Sequence, residues 1–164
     1  MAIEETLGDA LAERNERVAV AESCTGGLIG SLLTDVPGSS EYFDRSVVTY
    51  SYDAKMELLG VPRELLDSAG AVSEPVARRM AQGVRDGAGA AWSVATTGIA
   101  GPGGGTEAKP VGTVHVAVAR AAEWGTGDSW CRTERYVFEG SRREIKRRIA
   151  ERALEDLADA VASA

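Results

Sequence analysis

Short apolar and β-branched runs alternate along this chain with stretches of helical periodicity, and that alternation restricts the fold more than any other feature. Residues 17–22, 45–50 and 92–97 read as strands. Amphipathic patterns predict helices over 3–15 and over 25–34, the second stopping at Asp35-Val36-Pro37-Gly38. Two short helices, SYDAKMELLG and VPRELLDSAG, each close on a glycine. A longer one, VARRMAQGVRDGAGA, follows Ser73-Glu74-Pro75, where serine can cap and proline suits the first turn. After Thr97 the rhythm changes. Strands at 111–119 and 131–138 come with no helix between them, only a glycine-rich loop, GIAGPGGGTEAKP, and a second loop over 121–129. A final helix from Ser141 to the end carries Ile145, Ile149, Ala153, Leu154, Leu157 and Val161 at helical spacing. Strands alternating with helices argue for an α/β layer fold. The helix-free second half makes the sheet mixed, though mostly parallel.

The bulk properties exclude several classes. With 164 residues and 44% hydrophobic content the chain suits one domain with a proper core. A formal net charge of -7 argues against a nucleic-acid partner, although an acidic surface can hold a local basic pocket. No apolar run approaches the roughly 20 residues that span a bilayer. The acidic, helical N-terminus is unlike a secretory signal, so a cytoplasmic protein is expected. Two cysteines, Cys24 and Cys131, are too few for a disulfide framework or a cysteine-based zinc site. The single histidine, His115, excludes histidine-rich metal sites. Among 18 basic residues only Lys55, Lys109 and Lys146 are lysines. Lysine can lose its proton in a pocket and arginine cannot.

Three strand ends are rich in hydroxyls and glycines, and in open α/β sheets such ends carry the sites. The first is Glu22-Ser23-Cys24-Thr25-Gly26-Gly27, on a turn from strand to helix. A serine there could attack a carbonyl with backbone amides holding the oxyanion. Equally, Ser23 or Thr25 could be a simple N-cap with glycines allowing close packing. The second end, Thr49 to Lys55, offers Lys55 as a base if burial lowers its pKa, with Tyr50 to relay the proton. Alternatively Lys55 is a solvated helix residue. The third, Thr96-Thr97-Gly98 and the glycine loop, lets amides approach an anion, or is merely a tight connection. It matches neither GxxxxGK[ST] nor GxGxxG. His115 lies mid-strand and reads as a sheet residue. Cys24 is a rival nucleophile with no partner nearby in sequence. If the three strands run parallel, all three ends meet on one edge.

The strings AESCTGG, VVTYSYDAK, GAVSEPVARRMA and TTGIAGPGGGTEAKPVGTV, in that order over nearly the whole chain, resemble the CinA C-terminal domain family, also called the nicotinamide-mononucleotide amidohydrolase family. Longer members carry a further N-terminal domain, for which this chain has no room, so the stand-alone form is expected. The resemblance implies a three-layer α/β/α sandwich. It also implies hydrolysis of nicotinamide mononucleotide to nicotinate mononucleotide and ammonia in pyridine-nucleotide salvage. No metal and no organic cofactor would be needed, the partner would be a small-molecule nucleotide, and the chain would form a homodimer or higher homo-oligomer.

By the same resemblance Ser23 is the nucleophile and Lys55 with Tyr50 the proton-transfer pair. It also places Thr97 and Arg142 at the site; from their positions at the strand ends, Cys24, Thr25, Gly26, Gly27, Gly98, Gly101 and Gly103 are expected to surround the substrate with them, the glycine loop and Arg142 holding its phosphate. Two positions depart from the family pattern: Tyr52 stands where asparagine is usual, and Gly140-Ser141-Arg142 replaces Gly-Asp-Arg, with Arg143 following. The alternative from another class is a non-catalytic nucleotide-binding or regulatory module of the same fold, and a third reading is a Cys24 hydrolase.

Overall fold

The computed structural model describes residues 1–164. Its elements run α1 (Ile3–Arg14), β1 (Val18–Glu22), α2 (Leu28–Thr34), β2 (Phe43–Val48), α3 (Tyr52–Leu59), α4 (Arg63–Ala69), α5 (Glu74–Ala88), β3 (Trp92–Gly98), β4 (Thr113–Arg120), β5 (Trp130–Val137) and α6 (Arg142–Ala162). The five strands form one sheet in the order β2-β1-β3-β4-β5. β1 is parallel to both β2 and β3, whereas β4 is antiparallel to β3 and to β5. The mixed sheet expected from the helix-free second half is therefore present, since adjacent strands joined without a crossover helix favour antiparallel pairing.

Helices cover both faces, and strand residues alternate between them. On one face Val18, Val20, Trp92, Val94 and Val116 pack against Leu7, Leu11, Ile29, Leu33, Ile145, Ile149 and Leu154 from α1, α2 and α6. On the other, a row of alanines, Ala19, Ala21, Ala95, Ala117 and Ala119, meets Val76, Met80 and Val84 of α5 and Leu59 and Leu66 of α3 and α4. Small side chains on the sheet let α5 lie close, and its larger residues fill the gap.

The strand expected from Val111 begins only at Thr113, because Gly112 takes a φ of 92° and Thr113 N bonds back to Pro110 O. Two further boundaries, nearer the strand ends of interest, also differ from the sequence reading. The helix expected over 25–34 begins only at Leu28, because Gly26 and Gly27 take positive φ of 60° and 103°. That left-handed turn is incompatible with helix but open to glycine. The strand expected over 45–50 is Phe43–Val48, leaving Thr49 and Tyr50 past its end. Because Ala21 is level with Val47 and Ala95, the register carries Ser23, Thr49 and Thr97 to the same height. The three hydroxyl-rich strand ends do converge on one edge of the sheet. No helix is long and apolar enough to cross a membrane.

Candidate active site

The turn after β1 is shaped by a residue whose charge points inward. Glu22 is completely buried. Its Oε1 accepts hydrogen bonds from Thr25 Oγ1 at 2.7 Å, Gly27 N at 3.1 Å and Ile29 N at 2.9 Å. Its Oε2 accepts from Gly30 N at 3.0 Å and from Ser46 Oγ. A buried carboxylate is tolerated only when its lone pairs are filled in this way. Glu22 thus occupies the amides at the start of α2. The sequence reading assigned those amides to substrate, and this is a correction. Thr25 is a strut of the same network: its single proton goes to Glu22, so the Thr96 hydroxyl, 3.2 Å away, donates to it. The N–H of Gly26 bonds back to Ser23 O. The N–H groups of Cys24 and Thr25 bond to no backbone carbonyl, and the Cys24 N–H faces its own sulfur.

On this clamped turn Ser23 is almost fully buried, and Lys55 meets it. Ser51 caps α3 by accepting the N–H of Ala54 at 3.0 Å, which aims the first turn of that helix at β1. Lys55 is 1% exposed. Its Nζ donates to Ser23 Oγ at 2.9 Å and to Thr49 O at 2.6 Å. No carboxylate pairs with it. Burial therefore pushes its ammonium below the usual lysine value, since nothing repays the lost hydration.

Ser23, Cys24, Tyr50, Lys55, Thr97, Gly98 and Arg142 line one cavity of about 190 Å³, with Ala71, Val72 and Ala100. Thr97 is buried and donates to Ala71 O at 2.8 Å, tying the segment between α4 and α5 to the sheet. Gly98 has no room for a side chain: a Cβ would stand 2.8 Å from Thr113 O. The Cys24 thiol is pushed up to about 11, chiefly by burial, so it is protonated at neutral pH.

Several expected residues are placed elsewhere. Tyr50 is 62% exposed, and its hydroxyl accepts from Arg142 Nη2 at 3.0 Å rather than meeting Ser23 or Lys55. It stands at the rim, which removes the geometry for a direct proton relay. Arg142 also donates from Nη1 to Gly101 O at 2.6 Å, so the glycine loop turns a carbonyl, not an amide, toward it. Gly103 is exposed and outside the cavity; buried Thr25, exposed Gly26 and half-buried Gly27 do not line it either. His115 is half-buried, paired across the sheet with Thr97 on one side and Arg135 on the other, and its side chain bonds to no cavity residue. No group of three His, Cys, Asp or Glu side chains has the arrangement of a metal site. Of the two departures, Ser141 caps α6 by accepting Glu144 N at 3.3 Å, as an aspartate would, and Tyr52 does not line the cavity.

Comparisons with known proteins agree with this architecture. The model of the CinA C-terminal domain family matches residues 1–161. A CinA-like protein from Chlorobium limicola is 51% identical over 154 residues, covering 94% of this chain and 35% of the relative. One from Anaeromyxobacter dehalogenans is 54% identical over 144 residues, 88% of this chain and 34% of the relative. The chain thus spans about a third of the length of these curated relatives. Among solved structures, the competence/damage inducible protein CihA from Agrobacterium tumefaciens superposes with a TM-score of 0.86 at 41% identity, covering 98% of this chain and 95% of that one. A CinA superfamily protein from Klebsiella pneumoniae gives 0.89 at 32% identity, with all of both chains covered. With a convergent three-strand edge and a family match along nearly its whole length, this chain belongs to the CinA C-terminal domain family.

Proposed function

We propose that this cavity hydrolyses the amide of nicotinamide mononucleotide to nicotinate mononucleotide and ammonia, with Ser23 as nucleophile and Lys55 as base. The observation that carries the reading is the 2.9 Å contact between Ser23 Oγ and a buried lysine that has no carboxylate partner. A lysine so placed favours the neutral amine, which can take a proton. Its other bond, to Thr49 O, keeps the lone pair aimed at Ser23.

In this scheme Ser23 Oγ forms a bond to the carboxamide carbon while its proton passes to Lys55 Nζ. The carbonyl oxygen becomes an oxyanion, and the N–H of Cys24, a cavity-lining residue whose N–H bonds to no other residue, is the donor available to it. Lys55 returns the proton to the nitrogen, the C–N bond breaks, and ammonia leaves an acyl-serine. Water then attacks the acyl carbon, giving its proton to Lys55, and the second collapse frees the acid and restores Ser23. No step draws on a metal or organic cofactor. Tyr50 and Arg142 hold each other at the mouth of the cavity, where the tyrosine does not take part in moving the proton.

Ammonia release from nicotinamide mononucleotide by chelator-treated, folded protein tests the reading. Steady release supports it. Binding of the nucleotide without any ammonia supports a non-catalytic module instead.

A further inference from the structure

Helix α6 starts against electrostatic preference. Arg142, Arg143, Lys146, Arg147 and Arg148 crowd its first turns against one acid, Glu144, in a chain of net charge -7. Helix N-termini disfavour cations, and like charges four residues apart repel. Some of this charge is relieved locally: Arg147 pairs with Glu151 at 2.7 Å, and Arg142 donates to Gly101 O and Tyr50. Lys146 is different. It is half-buried, yet it pairs with no carboxylate and donates to no acceptor on the protein. Its Nζ lies on the Ser23 turn, 3.8 Å from where a Cβ on Gly26 would stand. It is near enough to Cys24 for its charge to favour the thiolate there.

The backbone around it offers an anion little. Gly26 and Gly27 have already spent their N–H groups on Ser23 O and Glu22. Gly101 presents a carbonyl, and Gly103, Gly104 and Gly105 are exposed beyond the cavity. A cavity of about 190 Å³ suits a pyridine carboxamide, and the rest of a nucleotide has to extend over its rim. On the α6 side Arg142 lines the cavity, and Lys146, one helical turn further on, reaches the Ser23 turn at Gly26.

We infer that Lys146, with Arg142, forms the subsite for a phosphate monoester on the substrate, between α6 and the Ser23 turn and not in the glycine loop. This rests on the nucleotide-amide reading above. A dianionic phosphate there bridges Arg142 and Lys146, turning their repulsion into two charge-assisted contacts.

The test compares wild type, Lys146→Ala, Lys146→Arg and Arg147→Ala on nicotinamide mononucleotide and on its dephosphorylated riboside, using Ki in place of KM if the riboside is not turned over. Lys146→Ala is expected to raise KM for the mononucleotide by about tenfold or more with kcat little changed, and to leave the riboside unaffected. Lys146→Arg should recover most of the loss. Arg147→Ala removes one positive charge from the exposed face of the same helix and should behave as wild type. A wild-type KM in Lys146→Ala, or an equal loss on the riboside, overturns the inference. If wild type releases no ammonia from either compound, the amide reading fails by itself. The subsite is then decided by titrating nicotinate mononucleotide calorimetrically: binding weakened about tenfold in Lys146→Ala but not in Arg147→Ala upholds it. Equal binding by both variants, or none by wild type, overturns it.

Discussion

Replacing Glu22 with glutamine changes one atom and should loosen the whole turn that carries Ser23. The substitution is isosteric, so it opens no cavity. Three donors, Thr25, Gly27 and Ile29, converge on Oε1, and the amide oxygen takes that place. Each of these bonds then goes from a charged to a neutral acceptor, a loss of about 1 kcal/mol apiece. The new NH2 group faces the Gly30 N–H, donor against donor, and that buried N–H loses its acceptor at a cost of about 1–3 kcal/mol. The Ser46 hydroxyl can rotate to accept, so that contact survives. Allowing for the easier burial of an amide, the net loss is about 3–5 kcal/mol, against a total stability of about 5–15 kcal/mol. At about 2–4 °C per kcal/mol for a chain of this size, Tm falls by about 10 °C. Urea unfolding followed by circular dichroism reads the change as a lower midpoint with an unchanged slope. A loss below about 1 kcal/mol would refute the claim that the Glu22 charge holds the turn.

Lys55→Arg should be as inactive as Lys55→Ala, because arginine keeps the charge but cannot serve as a base; an active Lys55→Arg enzyme with the wild-type pH profile would remove Lys55 from that role. In wild type the rate should climb as pH rises through a Lys55 ionisation lying below the usual value of about 10.4, and be lost below it. Stability carries the same sign: between the lowered folded value and the unfolded one the unfolded chain binds more protons, so the urea midpoint should rise with pH there, and rise less in Lys55→Met. With its thiol pushed up to about 11, Cys24 should react with iodoacetamide at neutral pH only after unfolding, as peptide mapping would show; fast labelling of folded protein with loss of activity would restore the cysteine hydrolase reading. Gly98→Ala forces a Cβ to 2.8 Å from Thr113 O and 3.0 Å from Val114 Cβ, and thermal unfolding should register about 1–3 kcal/mol of overpacking.

The convergence of Ser23, Thr49 and Thr97 was legible because it needs only parallel strands, and strand–helix alternation implies those. The mixed second half was legible for the complementary reason. The Glu22 clamp was not. A glutamate at a strand end reads as a solvated charge, and only its place after four apolar residues, with Thr25 and two glycines just beyond, hints that it turns inward. Pairing Tyr50 with Arg142 spans 92 positions, and no local pattern carries information over that distance. The same holds for Lys146, whose neighbour on the turn is Gly26. Family resemblance located the residues; the hydrogen bonds decided which of them face the cavity and which hold up the turn.

The most direct test of the Ser23–Lys55 assignment is ammonia release from nicotinamide mononucleotide by wild type, Ser23→Ala and Cys24→Ala, each first shown to be folded. Wild type and Cys24→Ala should release ammonia at comparable rates, and Ser23→Ala, whose neighbours and fold are otherwise intact, should release none above background. An active Ser23→Ala enzyme beside an inactive Cys24→Ala would contradict the assignment and move the nucleophile to the adjoining thiol.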